Sequence, residues 1–425
     1  MRILFAVIPE KTIFMSMVPL AWALRTAGHE VHIACQPAFT DTVTQAGLTA
    51  VPVGRNSVTA RINDHDPEGM EKGRHGLPNP WDVAELPERA NWDLQVAGHR
   101  EVVESAHKPD NFPMINGLVA YARHWEPDVV IWEPFSYAGS IAAKACGAAS
   151  ARLLWSIDVF GVTRQTFLGL KDQQPEGKRT DPLADWLGGY ARKYGDDFTE
   201  DLTVGHFSID QLPPSLAQQA EGLQYTGLQY IPYNGAAVVP NWLRTPPERP
   251  RVALTLGLTA ATQFAGYTVD VQDILTTLAD LDIELVATIA ESEQRKLSHV
   301  PENTRVVQFA PLNALSATCD VVISHAGPGT FLTAARHGVP QLTVPAEFDA
   351  PELARRAMAQ GGSLCVQAES AGEITQSIRE GVLRLLNEPG LRQRAEALDD
   401  EIRAMPSPNE FVAHLEQLTL KHRTR

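Results

Sequence analysis

The segment Cys319–Asp349, CDVVISHAGPGTFLTAARHGVPQLTVPAEFD, decides how the whole chain is read. Its apolar run Val321–Ile323 has the unbroken hydrophobicity that a strand covered on both faces requires. Ser324–Thr330 follows as a turn poor in side chains, and from Phe331 the apolar spacing becomes helical until Gly338. A second buried strand, Pro340–Val344, is closed by Pro345 and by two acids, Glu347 and Asp349. Strand, glycine turn and helix start together make a site for anionic phosphate. Unpaired N–H groups point outward there, and the positive end of the helix dipole lies beneath them. His325 stands at the mouth as a directional donor that can also carry charge.

Working upstream, the same alternation recurs in Arg251–Leu256 (strand), Gly257 (turn), Val271–Leu281 (helix), Glu284–Ile289 and Arg305–Phe309 (strands) and Leu312–Thr318 (helix). Downstream, helices are expected near Ala371–Leu386, Leu391–Ala404 and Glu410–Leu420. The first half has its own series: strand Arg2–Ile8, loop Pro9–Ser16, helix Val18–Ala27, then strands Glu30–Ala34 and Leu48–Val53 around helix Thr40–Ala46. After an interruption come helix Met114–His124, strand Asp128–Trp132 ending in Glu133, helix Gly139–Cys146 and strand Ala151–Trp155. A polar helical section, Phe160–Thr203, precedes short strands at Phe207–Ile209, Leu223–Tyr225 and Tyr230–Ile231. This order predicts an α/β protein with two doubly wound parallel sheets, whose ligands sit at the carboxyl ends of the strands.

The expected division is residues 1–240, a proline-rich linker at 241–250, residues 251–405, and a last helix in 406–425 packing back on the first domain. Residues 54–113, polar and with helical hints only around Trp81–Ser105, are expected to form a variable insertion or substrate lid. The length of 425 residues, with 44% hydrophobic and 20% charged residues, suits two packed cores. A formal net charge of −15 argues against nucleic acid as a partner. MRILFAVIPEK reads as a first strand rather than a signal peptide, and no apolar stretch is long enough to span a membrane. Four widely spaced cysteines suggest neither a disulfide framework nor a zinc site, so a cytoplasmic protein is expected.

His325–Gly327 with Gly329–Thr330 resembles the His-Gly-Gly-x-Gly-Thr signature of the family 1 antibiotic glycosyltransferases. Phe309-Ala310-Pro311-Leu312 resembles the segment that receives the nucleobase in that family. VPLAWALRTAGHEV (Val18–Val31), AGLTAVPVG (Ala46–Gly54), SIDQLPPS (Ser208–Ser215) and YNGAAVVPNWL (Tyr233–Leu243) are similar to macrolide and anthracycline deoxysugar transferases. The resemblance covers the chain except much of Thr59–Pro113. It implies the GT-B fold, two Rossmann-like domains facing a cleft, with the acceptor on the first and the nucleotide sugar on the second. It also implies inverting, metal-independent transfer of a deoxyhexose from a dTDP-sugar to a polyketide-type, hydrophobic aglycone, with no further cofactor. Partners implied are an activator protein of cytochrome-P450 type, as in the activator-dependent subgroup, and, as a further option, a second copy of the chain. A catalytically silent homologue and a sugar-nucleotide epimerase are the competing readings.

Donor contacts are expected at His325, Gly327, Gly329, Thr330, Phe309, Pro311, Leu312 and Asp349 from the resemblance, and at Thr259 and Glu347 from their places at strand ends. Thr259 could equally cap the next helix, and Asp349 the helix from Pro351. Ser324 replaces the first of two histidines found in many relatives, and Ala350 replaces a sugar-binding glutamine. Ile13, Phe14 and Phe135 are expected to face the acceptor. Ile13 stands where many relatives place the acceptor-activating histidine, and isoleucine cannot take a proton. Glu133, at a strand end, is the leading substitute base, with helix capping or core satisfaction as its alternative role. Asp64, His65, Asp66 and His75 are weaker candidates.

Overall fold

The computed structural model describes residues 1–57, 76–257, 267, 269–367 and 370–424. The continuous apolar runs become central parallel strands, as in Val129–Trp132 and Val321–Ser324, where every residue is buried. The first sheet contains β1 (Arg2–Ala6), β2 (Glu30–Cys35), β3 (Thr49–Pro52), β4 (Val129–Trp132), β5 (Ala149–Leu153), β6 (Phe207–Asp210) and β7 (Tyr225–Gly227). The second contains β8 (Arg251–Thr255), β9 (Glu284–Thr288), β10 (Thr304–Val307), β11 (Val321–Ser324), β12 (Gln341–Thr343) and β13 (Ser363–Cys365). Strand orders are β3-β2-β1-β4-β5-β6-β7 and β10-β9-β8-β11-β12-β13. The order reverses between β1 and β4 and between β8 and β11, so each sheet opens a crevice at its carboxyl edge there. These are two doubly wound Rossmann-like units.

Several local expectations are corrected. Pro9–Ser16 is not a loop, because the first helix runs Lys11–Thr26 and Glu10 caps it by accepting from the Thr12 N–H at 3.2 Å. Pro19 lies inside this helix, whose face toward the sheet is apolar throughout. Within 54–113 the described part carries more regular structure than expected. Leu77 and Trp81 are buried, and helix Trp92–Val102 runs through a short π-turn, Val103–His107, into helix Lys108–Trp125. That last helix starts well before Met114, and Pro109 lies at its second residue, immediately after the π-turn. Tyr230–Ile231 forms no strand, since Tyr230 is buried and its hydroxyl donates to the Gly329 carbonyl at 3.1 Å.

Helix Pro408–His422 starts in a capping box between Ser407 and Glu410. Phe411, Leu415 and Leu418 on it join the core of the first sheet, beside Ile3, Phe14 and Leu153. A separate hydrophobic cluster joins the two halves. Trp81, Ile157, Phe160 and Leu216 pack with Phe331, Leu332, Leu353 and Leu398. Among the described residues no helix is long and apolar enough to cross a membrane.

Candidate active site in the cleft

The ends of β8 and β11 meet around the ring of His325. A Cβ on Gly257 would lie 2.5 Å from His325 Cε1, and one on Gly327 only 2.2 Å from Nε2. Both glycines are therefore the floor on which the imidazole lies, and Gly257 also needs φ +83°. Burial pushes the imidazole down to about 4, against a smaller upward pull from the Thr255 backbone. Desolvation outweighs that pull, so in the free protein at neutral pH His325 is a neutral hydrogen-bonding group. Its Nδ1 is buried without a hydrogen-bond partner.

Ala326 takes φ +62°, a left-handed conformation costing an alanine about 1 kcal/mol. Its N–H donates to the Ser324 hydroxyl at 3.3 Å, so the serine steadies the turn. Gly327 caps helix Pro328–Ala335, and the Phe331 N–H donates to its carbonyl at 2.9 Å. The N–H groups of Gly329 and Thr330 find no partner among the described residues. Phe309, half exposed, follows β10, and Pro311 caps helix Leu312–Ser316 at the same carboxyl edge of the sheet. Thr259, Asp64, His65, Asp66 and His75 lie outside the described residues.

Across the cleft, two of the expected site residues are buried in the free protein. Glu133 follows β4 but has no exposed surface; the Ser136 hydroxyl donates to Oε1 and the Phe135 N–H to Oε2 at 2.9 Å. Its carboxylate folds back on its own turn instead of entering the cleft, and burial raises it to about 7. In this conformation both carboxyl oxygens of Glu133 are engaged by its own turn. Phe14 is 1% exposed and meets Phe39 edge-on at 5.7 Å, which makes it core rather than an acceptor contact. Ile13 is 8% exposed in the first turn of its helix, at the edge of the same core.

Phe135 does face an aromatic assembly. It stacks with Trp155 at 6.3 Å, meets Phe160 edge-on at 4.9 Å, and lies 6.1 Å from Phe348 of the second half. Phe348 also reaches Trp81 at 5.4 Å. The loop carrying it is tied down beside it, where the Gly76 N–H donates to the Ala346 carbonyl at 2.9 Å and Glu347 forms a bridge with Gly76. Asp349 begins helix Ala350–Gln360 but makes no side-chain cap bond. It is buried, its Oδ2 has no partner, and burial raises its pKa to about 6. Trp155 and Ser156, just beyond β5, were not singled out from sequence. Nothing in their local pattern marks them, and only the strand order brings them to the cleft.

Similarity to known proteins identifies the family. The description "Erythromycin biosynthesis protein CIII-like" matches with its N-terminal domain over residues 22–257 and its C-terminal domain over residues 272–418. The chain belongs to the erythromycin biosynthesis protein CIII-like family. The chain resembles 10-deoxymethynolide desosaminyltransferase of Streptomyces venezuelae, 42% identical, covering 100% of this chain and 98% of the relative. Aclacinomycin-T 2-deoxy-L-fucose transferase of Streptomyces galilaeus is 39% identical, covering 100% and 97%. Among solved structures, the glycosyltransferase VinC in complex with dTDP aligns with a TM-score of 0.87 at 35% identity, covering 99% of this chain and 100% of VinC. Spinosyn forosaminyltransferase SpnP aligns at 0.81 with 33% identity, covering 99% of both chains. The protein is a glycosyltransferase of GT-B fold.

Proposed function

We propose that this glycosyltransferase moves a deoxyhexose from a dTDP-sugar to a polyketide-type aglycone in antibiotic biosynthesis, with inversion at the anomeric carbon. The observation that carries the donor half is the turn at His325, where a neutral imidazole and the free N–H groups of Gly329 and Thr330 share one mouth. Such preorganised donors stabilise the charge that builds on a departing diphosphate. As an acceptor hydroxyl attacks the anomeric carbon, the bond to the diphosphate breaks and the acceptor proton leaves. Ile13 cannot take that proton and Glu133 is sealed from the cleft, so neither is assigned as base. The half-buried rings of Phe135 and Trp155 offer an apolar wall to an aglycone. A cytoplasmic location, metal-independent chemistry and stimulation by an activator protein of cytochrome-P450 type belong to the same reading.

Titrating dTDP into the purified chain by calorimetry tests it. His325→Ala should weaken binding by roughly tenfold to a hundredfold, the loss of one hydrogen bond to a charged group. Equal affinity in wild type and variant would remove His325 from the donor site. Transfer assays with and without an activator separate an active enzyme from a silent homologue.

A further inference from the structure

The segment Tyr230–Asn234 closes the first half, yet its polar side chains bond to the second. Helix Leu312–Ser316 begins at Pro311, whose ring has no group that could cap it. The Asn313 N–H in its first turn therefore lacks a helical partner, and it donates to the Asn234 carboxamide oxygen at 3.0 Å. That N–H can only donate, so the carboxamide nitrogen is turned the other way, toward the Thr333 hydroxyl at 3.4 Å. Thr333 lies on the next helix, Pro328–Ala335, and is wholly buried. One side chain thus ties the two helices together. A second tie runs alongside it, from His337 Nε2 to the Asn313 carboxamide oxygen at 2.8 Å.

Each helix carries one end of the proposed nucleotide site. The Thr333 hydroxyl donates to the Gly329 carbonyl at 2.6 Å, and the Tyr230 hydroxyl donates to the same oxygen at 3.1 Å. That carbonyl shares a planar peptide unit with the Thr330 N–H, one of the two N–H groups without a partner among the described residues. Holding the oxygen fixes the direction of the N–H. Two hydroxyls on the oxygen also polarise the unit and strengthen the N–H as a donor. Tyr230 is 5% exposed and burial raises its phenol to about 12, so it keeps the proton for this bond at neutral pH. The other helix follows Phe309, whose half-exposed ring at the same edge offers a stacking face to a nucleobase.

We propose that Tyr230 and Asn234 are positioning residues for the nucleotide. Tyr230, with Thr333, aims the Thr330 N–H at the diphosphate. Asn234 holds the base-side helix at the spacing that lets one dTDP reach both ends. Both act through other groups. The inference rests on the dTDP-donor reading and adds that a segment of the first half sets the geometry of the donor site. A two-point site favours the joined ligand only while its points keep the ligand's own spacing.

NMR titration of the full chain with thymidine, inorganic pyrophosphate and dTDP tests the assignment. Asn234→Ala should weaken dTDP by about tenfold while thymidine and pyrophosphate each bind within about twofold of wild type, because only the spacing is lost. Retained binding of the two fragments also shows that the variant is folded. Tyr230→Phe should weaken pyrophosphate and dTDP by a similar several-fold factor and leave thymidine unchanged. Asn234→Ala that binds dTDP as wild type does, or that loses the fragments as much as dTDP, overturns the spacing role. Tyr230→Phe with unchanged pyrophosphate affinity overturns the aiming role. Wild type that fails to bind dTDP overturns the donor reading together with both roles.

Discussion

Glu133 keeps its proton up to about pH 7 because no water reaches its carboxyl. Its ordinary value in an unfolded chain is near 4.5, so the native state binds the extra proton between these limits. Stability from this group is therefore full below about 4.5 and falls as pH rises through 7. Glu133→Gln should gain on wild type between pH 5 and pH 8 by on the order of 2–3 kcal/mol in urea unfolding. Turnover of the same variant should stay within a few-fold of wild type, and a hundredfold loss would restore Glu133 as the base. The sequence placed this acid correctly at a strand end, but not the backward fold of its side chain, which depends on Ser136 and on the Phe135 amide. His325 and its glycines were legible because the turn is contiguous in the chain. Ser156 was not, because its meeting with Asp349 is a product of topology.

At the scale of elements, apolar runs identified the buried strands, and missing signals explain the errors. Strand β13 has three residues preceded by Gly361 and Gly362, too little pattern to register as a strand. The start of helix Lys11–Thr26 was hidden by Pro19, which reads as a breaker though the helix continues through it. The last helix was legible from its spacing, and its packing has a measurable consequence. Leu415 is wholly buried against the core of the first sheet. Leu415→Ala should cost about 2–5 kcal/mol by chemical denaturation, with the first half unfolding earlier. A loss below about 1 kcal/mol would show that the helix merely lies on the surface.

For the whole molecule, the aromatic assembly around Phe348 holds the two halves together at the cleft. Phe348→Ala should enlarge the free protein, read as a higher radius of gyration by X-ray scattering, while dTDP affinity changes less than about threefold. An unchanged radius would assign the closure to the cluster around Phe331 and Leu353 instead. The chain itself passes between the halves twice, once through residues 241–250 and again between Arg403 and Pro408. The second passage is fastened to the first half where the Gln229 N–H donates to the Pro406 carbonyl at 2.8 Å. A body hung on one strap can swing and swivel; hung on two, it can only swing. Any relative motion of the halves is thereby confined to a book-like gape about the line joining the two straps.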